Sequence, residues 1–141
     1  MRRQFTTLIT LAVIALASGC SDSATDPNAP FGGAYLLKTV NGTPLPRTIT
    51  ISGGTVRLNS MRLSIQQDGS YNQTADYTPL TYTGDVQTEA LGTWMHDEAT
   101  GSVVLRDQAG YPWGVGSSKR NTLTLTTALG TAAAETWVYQ R

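Results

Sequence analysis

The chain is poor in the residues that cross-linking and most catalysis use. One cysteine stands among 141 residues, at position 20, and one histidine, at position 96. A lone cysteine excludes an internal disulfide, so the fold must be held by burial alone. Charged residues make up only 14% of the chain and cancel formally, which leaves no basic patch to recruit nucleic acid. The apolar run from Phe5 to Ala17, interrupted only by threonines, is too short to span a bilayer. No window of a dozen residues carries a 3.6-residue apolar period, so helix is expected to be a minor component.

What is present begins with an address. Arg2 and Arg3 precede the apolar run and small residues follow it, which are the three parts of a secretory leader. The ending, Leu16-Ala17-Ser18-Gly19-Cys20, resembles the lipobox of bacterial lipoproteins. That resemblance implies cleavage of residues 1–19, a diacylglycerol on Cys20 and acylation of the new amino terminus. The alternative is a plain signal peptide that leaves Cys20 as a free thiol, an odd cysteine in an oxidising compartment; lipidation consumes it. With about 0.8 kcal/mol for each buried methylene, several acyl chains anchor effectively permanently. The expectation is a monomer held on the bacterial cell envelope without spanning the membrane. Ser21 is compatible with export to the outer membrane, whereas aspartate there would resemble an inner-membrane retention signal.

Cleavage before Cys20 leaves about 120 residues, one domain of ordinary size. The leader takes two arginines with it, so ten carboxylates then face eight cations. After Cys20, the stretch Ser21 to Pro30 has no large apolar side chain and cannot order itself by burial. Residues 20–30 therefore read as the lipidated end and a tether reaching about 30 Å, and residues 31–141 as a single domain.

From Phe31 onward, short β-rich runs alternate with turn signals. Strands are expected at Gly33–Val40, Arg47–Ile51, Thr55–Leu58, Met61–Gln66, Ser70–Thr78, Thr81–Thr88, Ala90–His96, Ser102–Arg106, Asn121–Thr127 and Glu135–Gln140, with a short one at Trp113–Gly116. The apolar positions pass from even numbers (Val56, Leu58) to odd ones (Met61, Leu63, Ile65). A one-residue shift turns side chains to the other face, so a bulge or turn is expected at Asn59-Ser60. Asn41-Gly42 and Asp68-Gly69 are turn signals, the second a hairpin. Many short sequential strands would leave exposed edges in an open sheet, and closure removes them. The fold expected is all-β, an antiparallel up-and-down meander closed into a barrel of about eight to ten strands, with a two-sheet β-sandwich as the alternative.

Gly33-Ala34-Tyr35, Asn41-Gly42 with Leu45-Pro46, and the terminal Trp137-Val138-Tyr139-Gln140-Arg141 are similar to small lipocalin-like bacterial lipoproteins. In the wider lipocalin family a Gly-x-Trp near the amino terminus packs at the closed end of the barrel under an arginine from near the last strand. The resemblance implies that Tyr35 takes the tryptophan's place and that Arg141 is the arginine.

Chemistry is sparse, and no enzyme is expected. His96-Asp97-Glu98 groups the histidine with two carboxylates, but neighbours on a strand point to opposite faces and a metal site needs converging ligands. A charged hairpin end leading into Ala99-Thr100-Gly101 explains it better. Asp68, Asp76, Asp85, Glu89, Asp107 and Glu135 are spread along the chain and read as solvated edges and turns. Gly114 to Lys119 imitates a phosphate loop, which would require a helix where Asn121–Thr127 reads as strand. No catalytic residue, metal or cofactor is assigned.

The aromatics are the remaining candidates. An eight-stranded barrel is just wide enough to be filled by side chains or to hold one small ligand. Tyr35, Trp94, Tyr111, Trp113 and Trp137 are the candidate ligand contacts. Among them Tyr111-Pro112-Trp113, between two glycines, reads as an exposed loop at the barrel mouth. Two functions fit: a module that captures a small apolar ligand, or a structural, protein-contacting envelope lipoprotein with a filled core. An apolar cavity of about 300 Å³ or more would favour the first.

Overall fold

The computed structural model describes residues 31–141 apart from 52, 82 and 128–132. The leader, Cys20, the tether and Tyr82 thus lie outside the described residues. Ten strands run in order: β1 (Gly33–Val40), β2 (Thr43–Pro44), β3 (Arg47–Ile51), β4 (Gly54–Ile65), β5 (Ser70–Pro79), β6 (Val86–Asp97), β7 (Ser102–Asp107), β8 (Pro112–Lys119), β9 (Thr122–Thr127) and β10 (Glu135–Gln140). β4 through β10 pair in sequence, β10 pairs with β1, and β1 returns to β4. This closes an eight-stranded antiparallel barrel, with β2 and β3 added outside the ring. There is no helix among the described residues.

Local chemistry accounts for most of these boundaries. Asn41 and Gly42 adopt φ of 51° and 76°, the left-handed region that asparagine and glycine tolerate best. The Asn41 side-chain oxygen also accepts the Thr136 amide at 2.8 Å, which fastens the end of β1 to the start of β10. At the β4–β5 hairpin Gly69 has φ of 86° and Asp68 Oδ1 accepts the Ser70 amide at 2.9 Å. Asp97 does the same for β6–β7, taking the Ala99 amide at 3.0 Å and the Thr100 hydroxyl at 2.9 Å. That turn is the charged hairpin end read from His96-Asp97-Glu98.

Two bulges set which side chains enter the lumen. The β4–β5 register shifts between Leu58 and Ser60, so Leu58 and Met61 are both buried; the two runs expected around Asn59-Ser60 are one bulged strand. A shift between Leu37 and Thr39 does the same in β1 and turns Val40 inward with Tyr35 and Leu37. The sequence expectation for β6 needs correction. Residues 81 and 83–85 are outside any strand, and the segments expected at Thr81–Thr88 and Ala90–His96 are represented by the single strand Val86–Asp97. The short strand expected at Trp113–Gly116 is the longer β8, which pairs with β7 from Pro112 onward across a register shift, so Trp113 lies on a strand and not in the loop read at Tyr111-Pro112-Trp113.

The pairings are staggered. β6 bonds β5 from Val86 to Thr93 but β7 only from Gly92 to Asp97, while β4 bonds β1 only from Arg62 to Ile65. The first halves of β4 and β6, the second half of β5, and β3 therefore extend past the ring as a four-stranded wing. Its inner face continues the lumen.

Candidate functional site

The two ends of the barrel differ. At the end where Phe31 enters, the Phe31 ring stacks on His96 at 4.5 Å and meets Trp94 edge-on at 5.0 Å, with Tyr35 at 6.1 Å. Trp94 Nε1 donates to the Gln66 carbonyl at 2.8 Å, and His96 Nε2 lies 3.0 Å from Ser118 Oγ. The Arg141 guanidinium carbon sits 4.9 Å from the centre of the Tyr35 ring, the arrangement that the resemblance implied. Burial raises the Tyr35 phenol above its ordinary range, and the Arg141 charge and hydrogen bond partly offset this. This end is a seal.

The opposite end is open. Ile49, Ile51, Val56, Leu58, Ala75 and Tyr77 from the wing face Met61 and Trp137 across a cavity of about 200 Å³, with Gln73 and Thr88 completing the wall. Among the described residues no charged side chain lines it. Trp137 is fully buried, and its indole nitrogen donates to Glu135 at 3.1 Å. Gln73 Oε1 is shielded from solvent and has no hydrogen-bond partner. Deeper in the lumen, Tyr139 donates to Met61 Sδ at 3.2 Å, and its burial pushes the phenol far above the ordinary value.

Of the five aromatic candidates, the structure places only Trp137 on this cavity. Tyr35 and Trp94 belong to the seal. Tyr111 is 71% exposed on the β7–β8 connection. Trp113 is half-buried, its indole nitrogen donates to the Tyr71 hydroxyl, and it is not among the residues that line this cavity. The residues that form the mouth were missed as a site, although their signals were in the sequence. Ile49 and Ile51 share a face of one strand, and Gln73 has the parity of Tyr71, Ala75 and Tyr77. At about 200 Å³ the cavity falls short of the roughly 300 Å³ that would favour a ligand-capturing module by size.

The scattered carboxylates give no reactive constellation. Asp76 accepts from Ser60 at 2.6 Å and Gln87 at 2.9 Å, and Asp85 from Thr78 at 2.5 Å, on the outer surface of the wing. Among the described residues no three histidine, cysteine or acidic side chains are grouped to hold a metal ion. Comparison with protein-family models, curated proteins and solved structures found no match.

Proposed function

We propose that this is a non-catalytic, lipid-anchored lipoprotein of the bacterial cell envelope, lipocalin-like in architecture, whose open end binds a small apolar ligand. The carrying observation is the uncharged apolar cavity at the mouth, set against a sealed opposite end. Its size suits something near a single ring, since an apolar cavity of about 150 Å³ takes benzene. The tether would join the barrel at Phe31, in the seal. An anchor on Cys20 would thus attach to the barrel at its closed end, away from the mouth. Native mass spectrometry of the chain purified gently from its host tests the ligand. A reproducible added mass that disappears on unfolding is expected, and a bare mass would count against it.

A protein-contacting role is favoured by one observation. Among the described residues, 86–91 of β6 have a neighbour on one side only, and an exposed edge can accept an extended peptide. Slower amide exchange at 86–91 in intact envelopes than in the purified chain would support that reading, and equal exchange would oppose it.

A further inference from the structure

We infer that the free edge of β6 takes an extended strand of a partner protein that carries a lysine or arginine on its outward face, opposite Glu89, and small apolar side chains on the other face. The inference rests on the protein-contacting reading above and adds the chemistry of the partner.

β7 covers β6 from Gly92 to Asp97 and then leaves it. Below that point the row that β7 occupied is a notch of about 520 Å³ lined by Glu89, Ala90, Leu91, Asp107, Gln108 and Ala109. The edge beside it is regular, since β6 pairs with β5 from Val86 to Thr93 without a register shift. Residues 87–91 are exposed on both faces of the strand. Natural sheets blunt such an edge with proline, lysine or a bulge, and Val86-Gln87-Thr88-Glu89-Ala90-Leu91 has none of these. The backbone is therefore ready to pair.

Charge decides with what. Asp85 precedes the edge, Glu89 stands at its middle and Asp107 closes the notch. The donors that reach them are neutral: the Thr78 hydroxyl at 2.5 Å for Asp85, the Asn72 amide for Glu89 and the Tyr111 backbone amide at 2.9 Å for Asp107. Three carboxylates of one sign disfavour a second copy laid edge to edge, because like charges would meet. They equally disfavour the chain's own stretch Ser21 to Pro30, which has Asp22 and Asp26, two prolines and no cation. A basic strand meets the opposite sign. Its inward side chains would lie beside Thr88 and Ala90, which are small and exposed, so short apolar groups fit there.

The test uses the mature chain as its host processes it, labelled with ¹⁵N and held in lipid nanodiscs. Two capped pentapeptides are titrated, Thr-Val-Lys-Val-Thr and the same peptide with glutamate in place of lysine. The expected result is that both move the amides of residues 86–91, that those of β9, paired on both sides, stay still, and that the lysine peptide binds about fivefold tighter. Glu89→Gln, an exposed and conservative change, should bring the two peptides within about twofold. Equal binding of the two peptides to the unmodified chain would overturn the inference and leave the edge reading standing. An undiminished preference in Glu89→Gln would also overturn it. If neither peptide moves residues 86–91, the edge reading itself fails, and this inference with it.

Discussion

Phe31 is 8% exposed beneath Trp94 and His96 at the end where the chain enters, whereas Thr88 and Ala90, whose register points them into the same lumen, remain exposed at the far end. Both ends have inward-facing positions on paired strands. What separates them is a cap. The first end has an aromatic segment laid across it and a guanidinium over Tyr35. The second has a sheet wing that extends the apolar face past the ring, where Ile51 and Tyr77 stay half-buried and Thr88 and Ala90 exposed. Facing inward is therefore not the same as being buried, and the uncovered remainder is where a ligand has room.

The comparison can be broken by substitution. Phe31→Ala at the seal should cost about 3 kcal/mol or more, because a large buried ring leaves a cavity. Ile51→Ala at the mouth, where the side chain is half-buried, should cost about 1 kcal/mol. Urea unfolding of both variants measures the difference, and equal losses would mean that the mouth is as closed as the seal.

Alkaline titration probes the filled interior. Burial raises the phenols of Tyr139, Tyr71 and Tyr35 above their unfolded value near 10. Folding therefore favours the protonated form, and that contribution is whole below about pH 10 and lost as the pH climbs above it. Unfolding midpoints followed from pH 8 to 12 should fall only at the upper end, and Tyr139→Phe should flatten the fall. A midpoint that declines steadily from pH 8 would contradict the assignment.

A smaller effect is expected from Arg141→Ala. Losing a cation over the Tyr35 ring should cost about 1 kcal/mol, read as a lowered thermal midpoint, with binding of toluene at the other end unchanged. Reduced binding would mean that the two ends are coupled. Anchoring is tested separately: Cys20→Ala should abolish acylation of the chain and leave the leader uncut, by mass spectrometry of the amino-terminal peptide.

Much of the barrel could be read from the chain because period-two patterning and turn chemistry are local. Gly33–Val40, Arg47–Ile51 and Glu135–Gln140 are bounded as expected, and the parity change at Asn59-Ser60 is a bulge. β6 was misread because its outward positions Gln87, Glu89 and Leu91 and its inward positions Thr88 and Ala90 show no apolar alternation; only pairing with β5 defines it. The strand expected at Trp113–Gly116 was cut short because the β7–β8 register shift that admits Pro112 is a relation between strands. The mouth was hidden for the same reason. Its residues read as ordinary core and most of them are buried; only the long-range stagger of β3 to β6 against the other strands leaves a cavity between them.

The most direct test of the central claim is the methionine-methyl spectrum of the mature chain titrated with toluene. Met61 lines the cavity, and Met95 is 62% exposed on β6 and serves as the control. The account predicts a saturable shift of Met61 with Met95 unmoved, which would place a guest at the open end. Shifts of both methyls in proportion, or of neither, would contradict it and leave a barrel that works through its surface.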